Sequence, residues 1–115
     1  MRKPVNNNDI LVFLNKMKQL VSEGKYTLVQ RKKNIQSLIE FGLTVSDIKD
    51  ILLSLELSNY YAGPKSDYDF SEGDIWEFIK RIENVLFYIK LKIIKTDEEY
   101  VVCISFHKSN NGGRS

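Results

Sequence analysis

The sequence predicts an α+β fold in which three N-terminal helices pack on a C-terminal antiparallel β-sheet. Between residues 10 and 55 the apolar side chains recur at the three-to-four-residue spacing of amphipathic helices. From residue 86 to residue 107 they alternate with polar side chains, which is the period of a half-buried strand. Because antiparallel strands that share an apolar face need a covering layer, we expect the helices to cover one side of the sheet and water the other.

Length and composition predict a single domain over residues 1–115, with disordered ends at residues 1–8 and 109–115. The chain is 43% hydrophobic and has only six glycines and two prolines, which argues against a disordered or fibrous protein. No stretch approaches the ~20 apolar residues of a membrane span, and the N-terminus lacks the apolar run of a signal peptide. One cysteine and one histidine argue against an intrachain disulfide and a protein-only zinc site. We therefore expect a cytoplasmic protein with no membrane segment, no metal site and no cofactor.

The first predicted helix follows a cap at Asn8 or Asp9, whose short side chains accept hydrogen bonds from the first-turn amides. It ends before Gly24, and a short β-prone edge strand follows at Tyr26–Val29. Its predicted buried face consists of Ile10, Leu11, Phe13, Leu14, Met17, Leu20 and Val21.

The second predicted helix covers Lys32–Phe41 and ends at Gly42. The third begins with Thr44 and Asp47, a capping box with aspartate in place of the usual glutamate. The inward-facing residues are Ile35, Leu38 and Ile39 in the second helix, and Ile48, Ile51, Leu52 and Leu55 in the third.

The hydrophobic period changes after residue 56. Tyr60–Pro64 cannot continue a helix, because proline lacks an amide hydrogen and disfavours helical geometry in the residue before it. A polar, acidic loop is predicted at Asp67–Asp74. The next segment, Ile75–Arg81, fits either a helix or a strand, and Trp76 within it is predicted to anchor the core.

Two strands, Leu86–Ile94 and Tyr100–His107, are predicted to form an antiparallel hairpin with a turn at Thr96–Glu99. The residues predicted to face the helices are Phe87, Ile89, Leu91 and Ile93 in the first strand, and Val102, Ile104 and Phe106 in the second. The residues predicted to lie on the opposite, open surface are Tyr88, Lys90, Lys92, Val101, Cys103, Ser105 and His107.

The polar residues of this open surface suit a phosphodiester. Lysine neutralises phosphate, tyrosine donates a hydrogen bond or stacks on a base, and histidine transfers protons near neutral pH. RNA cleavage needs a base for the 2′-hydroxyl, a cation for the phosphate and an acid for the leaving 5′-oxygen, and these side chains supply all three. The alternative is an ordinary surface of solvated lysines, with a histidine near the terminus that has no catalytic role.

Charge is distributed unevenly along the chain. Residues 1–33 hold eight Lys/Arg against two Asp/Glu, residues 34–79 two against nine, and residues 80–115 seven against four. The run Arg31-Lys32-Lys33 stands at the start of a predicted helix, where cations oppose the helix dipole. This unfavourable position indicates a basic patch for an RNA backbone or an acidic partner.

Several segments resemble one known family in consistent order over roughly residues 10–108. The distinctive ones are Tyr60-Tyr61-Ala62-Gly63-Pro64, Tyr88-Ile89-Lys90-Leu91-Lys92 and Ile104-Ser105-Phe106-His107. Together they resemble the MqsR family of type II toxins. The resemblance implies a RelE-like microbial RNase fold, metal-independent endoribonuclease activity on mRNA and a cognate antitoxin partner. It also implies a strand at Ile75–Arg81.

The same resemblance implies site residues, position by position. The family's active-site tyrosine falls on Tyr88, and its C-terminal lysine falls on His107. Its glutamine falls on Glu77, a carboxylate that can act as a base but also repels phosphate. Its other lysine falls on Ala62, and Lys65 lies three residues further on.

These residues define a mechanistic hypothesis. His107 acts as general acid or base, Tyr88 orients the scissile nucleotide, and Lys90 or Lys92 stabilises the phosphate. Glu77 is the second candidate for proton transfer; its alternative role is a surface ion pair with Lys80 or Arg81. The other predicted RNA-binding residues are Lys65 and Arg81.

Two other functions remain open. A helix-turn-helix DNA binder would use Lys32–Phe41 and Val45–Leu55 around Gly42, although the second of these helices carries acids that repel phosphate. A catalytically inactive interaction domain of the same fold is the other alternative.

Overall fold

The computed structural model describes residues 5–66 and 73–109. Its helices are α1 (Asn7–Ser22), α2 (Lys32–Phe41) and α3 (Val45–Leu53), followed by a 3₁₀ turn at Leu57–Asn59. Its strands are β1 (Tyr26–Leu28), β2 (Tyr60–Lys65), β3 (Ile75–Ile82), β4 (Val85–Lys95) and β5 (Glu99–Lys108). They form one sheet in the order β1-β5-β4-β3-β2, antiparallel except that β1 runs parallel to β5. The predicted α+β fold class is confirmed.

Helix α1 begins earlier than the sequence indicated. Its cap is Asn6, which accepts from the Asp9 amide, and Asp9 completes a capping box, so the predicted cap at Asn8 or Asp9 is wrong. Asn7 and Asn8, expected in a disordered end, form the first turn. Residues 1–4, 67–72 and 110–115, which include most of the predicted ends and of the acidic loop, lie outside the described residues.

Helix α2 has the predicted bounds, and Leu38 packs against the core as predicted, but its other inward residues differ from the prediction. Asn34 and Ser37 are its buried residues, and Ile39 is 76% exposed. The Asn34 amide donates to the Ile104 carbonyl at 3.1 Å and accepts from the Phe106 amide at 2.9 Å, and Ser37 accepts from the Lys108 amide at 3.0 Å. The prediction of an inward Ile39 is therefore wrong, because α2 supplies hydrogen bonds to the part of the β5 edge that β1 does not cover.

The segment between α3 and the hairpin is extended. The capping box at Thr44 and Asp47 is confirmed, and the ambiguous stretch after the acidic loop is strand β3. Gly63 in β2 has φ +115°, and a Cβ there would lie 2.6 Å from the Ile75 carbonyl oxygen. A glycine is therefore required where β2 crosses close to β3.

The β4–β5 hairpin is confirmed, but its alternation is interrupted. Lys90 pairs with Ser105, whereas the next residue, Leu91, pairs with Cys103, so Ile104 is an extra residue in β5. This bulge turns Val101 and Cys103 into the core; both are fully buried there, and Phe106 remains in the core on the other side of the bulge. The predicted inward Val102 and Ile104, and the predicted outward Val101 and Cys103, are therefore wrong.

The hydrophobic core lies between one face of the sheet and the helices α1 and α3. Phe13 of α1 stacks on Trp76 at 4.9 Å between ring centroids and on Phe78 at 6.1 Å. Trp76 thus anchors the core, as predicted. No helix in residues 5–66 and 73–109 is long and apolar enough to cross a membrane.

Candidate active site

A polar cluster occupies the other face of the sheet. On strands β3 to β5, Glu77 is in register with Lys90, Lys90 with Ser105, and Tyr88 with His107. The alternating residues Trp76, Phe78, Phe87, Ile89 and Leu91 face the core. Side-chain alternation therefore places Glu77, Tyr88, Lys90, Ser105 and His107 on one surface, which we call the polar face. The predicted grouping of Tyr88 and Lys90 with Ser105 and His107 is confirmed.

The polar face is not the open surface that the alternation predicted. The exposed fractions are 6% for Glu77, 5% for Tyr88, 1% for Ser105 and 5% for His107, and Lys90 is half-buried. Side chains from both flanks contact the face: Lys65 of β2 pairs with Glu77, and Arg31 before α2 donates to Ser105. The cluster is therefore recessed, and electrostatic interactions within it are stronger than on an open surface.

Glu77 is the centre of one end of the polar face. The Tyr88 hydroxyl donates to its Oε1 at 2.7 Å, and Lys65 Nζ lies 2.8 Å from its Oε2. Burial raises the pKa of Glu77, but the hydrogen bonds from Lys65 and Tyr88 and the charges of Lys65 and Lys90 outweigh burial and leave that pKa below its usual value. Glu77 is therefore ionised at neutral pH.

The ion partner of Glu77 differs from the predicted alternative. Glu77 pairs with Lys65, whereas the guanidinium of Arg81 donates to the Asn84 carbonyl at 3.4 Å. Register shifts in β2 set Ala62 opposite Glu77 and Lys65 opposite Ile75, yet the long Lys65 side chain still reaches the carboxylate. A lysine thus contacts this site although Ala62 stands at the position where the resemblance implied a lysine.

His107 is the centre of the other end. Its ring lies 5.6 Å from the Tyr88 ring between centroids, and its Nδ1 lies 3.1 Å from the Lys108 carbonyl oxygen. Because a carbonyl can only accept, Nδ1 carries the proton and Nε2 keeps a lone pair. Within residues 5–66 and 73–109, Nε2 has no hydrogen-bond partner.

The environment of His107 favours the neutral ring. Burial lowers its pKa most, and the charges of Lys33, Arg31 and Lys90 lower it further, against the raising effect of the Lys108 hydrogen bond. The net pKa lies below the ordinary value for histidine. At neutral pH the imidazole is therefore a base with an available lone pair.

The run Arg31-Lys32-Lys33 was predicted to be a basic patch, but its position beside this site was not predicted. The Arg31 guanidinium donates to Ser105 Oγ at 3.1 Å, across 74 positions of sequence, and the charge of Lys33 acts on His107. Of the predicted RNA-binding residues, Lys65 joins the polar face. Arg81 is exposed near the β3–β4 turn, and Lys92 is buried rather than presented to solvent.

Fold and site together define a small α+β protein with a recessed acid–base cluster flanked by cations. Comparison with known families narrows that class. The family described as "Motility quorum-sensing regulator, toxin of MqsA" matches residues 11–108. The match covers most of the chain, so this chain belongs to the MqsR toxin family and is a toxin of a toxin–antitoxin system with a cognate antitoxin. A comparison with curated protein sequences found no match.

Proposed function

We propose that this toxin is an endoribonuclease that cleaves mRNA by general acid–base catalysis with its own side chains and without a metal ion. The observation that carries the proposal is the pairing of Tyr88 with His107 across β4 and β5, with an available Nε2 on a neutral imidazole. Family membership supports the toxin role, and the charge of Lys90 beside this pair suits a phosphodiester.

In the proposed reaction, His107 Nε2 takes the proton of a 2′-hydroxyl. The 2′-oxygen then forms a bond to the adjacent phosphorus while the bond from phosphorus to the 5′-oxygen breaks. The products are a 2′,3′-cyclic phosphate and a 5′-hydroxyl. Because the His107 ring is neutral before the RNA binds, it can accept the 2′-hydroxyl proton directly.

Lys90 is proposed to stabilise the negative charge on the phosphate. Its Nζ lies 5.7 Å from the centroid of the Tyr88 ring, and its backbone is in register with both Glu77 and Ser105. A cation fixed at the middle of the cluster can act where charge develops, and one such donor contributes about 3–4 kcal/mol.

The proton for the leaving 5′-oxygen is assigned to the network at the other end. Lys65 carries protons, and Glu77 holds both the Lys65 ammonium and the Tyr88 hydroxyl. Because the Glu77 pKa is lowered, its carboxylate has no proton to give and both of its oxygens are engaged. We therefore assign proton donation to Lys65, substrate orientation to Tyr88, and to Glu77 the role of positioning both.

The setting of the proposed activity follows from the substrate. An mRNA substrate and a single buried cysteine fit the cytoplasm. Exposed Arg81 is a candidate contact for the RNA backbone, and the antitoxin is proposed to be the MqsA type named in the family description.

The substitution His107→Ala tests the proposal. Cleavage of a defined mRNA, mapped by primer extension, should fall by ~10²-fold or more, the scale of general acid–base catalysis. The substitution Lys49→Ala removes a cation from α3, which packs on the opposite side of the sheet, and should leave cleavage unchanged.

The alternatives give different outcomes in the same experiment. Equal cleavage by the parent and the His107→Ala variant would show that His107 is not the base. No cleavage by the folded parent would favour an inactive interaction domain, and tight binding to duplex DNA with a steep salt dependence would favour the helix-turn-helix alternative.

A further inference from the structure

The charges of three cations act on His107, and one of the three, Lys90, also lies opposite Glu77 in the sheet. Arg31 and Lys33 come from the start of α2, Lys90 comes from β4, and the charges of all three act on the imidazole. Within residues 5–66 and 73–109, none of the three forms an ion pair, and α2 has no acid in its first turn. Like charges held together near a helix N-terminus repel one another and oppose the helix dipole. A bound anion would relieve both effects.

The guanidinium of Arg31 is held in place. It donates one hydrogen bond to Ser105 Oγ at 3.1 Å, and Ser105 is 1% exposed and in register with Lys90. A guanidinium has five N–H donors, so this contact fixes its direction and leaves most of its donors available. The remaining donors can bind two oxygens of one phosphate, which a lysine ammonium does less specifically.

Arg31 is not needed to attach α2 to the sheet. Asn34 is fully buried and bonds to Val29, Ile104 and Phe106, and Ser37 bonds to the Lys108 amide. These contacts satisfy the edge of β5 without a charged group. Arg31, which lies beside these contacts, therefore has a role other than attaching α2 to the sheet.

Resting on the proposed ribonuclease activity, we propose that Arg31, Lys33 and Lys90 form a phosphate-binding subsite for single-stranded RNA on the α2 side of His107, and that Ser105 positions Arg31. The His107 side chain is 5% exposed and its Nε2 has no hydrogen-bond partner in the described residues, so the scissile nucleotide is placed beside it. The subsite holds the RNA backbone, and the Glu77 end supplies the leaving-group proton.

The test measures binding separately from cleavage. The probe is a single-stranded 2′-O-methyl oligoribonucleotide, which lacks the attacking hydroxyl, followed by fluorescence anisotropy over a range of salt concentrations. Arg31→Ala should weaken binding about tenfold and reduce the slope of log K against log salt by about 0.7, the value for one phosphate contact with a single strand. Lys49→Ala is the matched control and should change neither quantity.

Two further variants separate charge from positioning. Arg31→Lys keeps the charge, so it should retain the salt slope and recover only part of the affinity. Ser105→Ala also keeps the charge but frees the guanidinium, so it should weaken binding with the slope unchanged. Thermal melting of each variant shows whether it is folded, and the Arg31→Lys and Ser105→Ala results decide the matter if Arg31→Ala does not fold.

The results distinguish failure of the subsite from failure of the proposed function. If Arg31→Ala binds the probe like the parent while His107→Ala abolishes cleavage, the subsite is wrong and the ribonuclease proposal stands. If the parent neither binds the probe nor cleaves RNA, the proposed function itself is wrong. Weaker binding by Arg31→Ala with unchanged salt slope would overturn the phosphate contact.

Discussion

The two ends of the polar face differ in whether their charges are balanced. At one end, both oxygens of Glu77 are engaged, one by the Tyr88 hydroxyl and one by the Lys65 ammonium. At the other end, the charges of Arg31 and Lys33 act on His107, and neither cation forms an ion pair within the described part of the chain. Lys90 lies between the two ends, opposite Glu77. The charges at the Glu77 end neutralise one another without a ligand. The excess positive charge at the His107 end favours the binding of an anion. The difference identifies where an RNA phosphate is expected to bind.

Each end is also held by a different kind of element. The Glu77 end depends on the register of β2, which brings Lys65 to the sheet, and the His107 end depends on α2, which is attached through Asn34 and Ser37. Removing one of these attachments, or one of the charges that they bring together, should therefore affect the two ends differently.

The largest effect is expected from Asn34→Ala. The change leaves the Phe106 amide and the Ile104 carbonyl without their side-chain partner, so the free energy of unfolding should fall by about 2–4 kcal/mol. Chemical denaturation measures this loss. Ile39→Ala on the same helix is the matched control and should stay within about 0.5 kcal/mol, because Ile39 is exposed. Equal effects of the two substitutions would mean that the Asn34 hydrogen bonds contribute little to the stability of the fold.

The substitution Glu77→Gln should make the balanced end resemble the cationic one. It removes the charged partner of Lys65, so the free energy of unfolding should fall by about 1–2 kcal/mol, limited by the half-exposed lysine. It also removes a negative charge near the proposed RNA site, so the uncleavable oligonucleotide should bind several-fold more tightly. Weaker binding by this variant would mean that Glu77 orders the binding surface more than it repels phosphate.

The smallest effect is expected in the pH dependence of kcat/KM. In the proposed mechanism the neutral His107 is the base, and its pKa is lowered, so activity should persist below the ordinary histidine range and then fall as the ring gains a proton. Arg31→Ala removes one of the charges that lower this pKa, so the acidic limb should move to higher pH. Lys49→Ala should leave the limb in place. If the acidic limb lies at the same pH in the parent and in both variants, the charge of Arg31 does not affect the pKa of His107.

The lowered pKa values of Glu77 and His107 also make the stability of the fold depend on pH. Glu77 and His107 both have lowered pKa values in the fold, so the unfolded chain binds more protons at each. Stability from both groups is therefore present above their unfolded pKa values and is lost as pH falls through the folded ones.

The helices show how far sequence patterns reach. The bounds of α2 and the packing of Leu38 were predictable because Gly42 and the apolar spacing are local signals, but the burial of Asn34 was not. Apolar spacing indicated Ile39, whereas the exposed edge of β5 required the polar Asn34. Asn34 is buried because it bonds to Ile104 and Phe106 of β5, which lie 70 and 72 positions further along the chain. A pattern of neighbouring residues does not include such contacts.

The hairpin shows the same limit within one motif. Alternation predicted that Tyr88 and His107 share a face, and they do. It also predicted a single alternation through β5, which the bulge at Ile104 interrupts. Several residues of the site could thus be predicted from the alternation in β4 and at the end of β5. Their burial and the contacts from Arg31 and Lys65 could not.

The sequence alone determined the order of the three helices, the limits of α2, the start of α3, the paired strands at the carboxyl end and the chemical character of one sheet face. These properties depend on hydrophobic period, capping residues and turn residues, which act over a few neighbouring positions. Only the tertiary structure decided which side of α2 meets the sheet, where β5 shifts its register, and which cations reach Glu77 and His107. Those outcomes depend on satisfying buried backbone groups and charges between segments far apart in the chain, and that balance is set only when the segments meet.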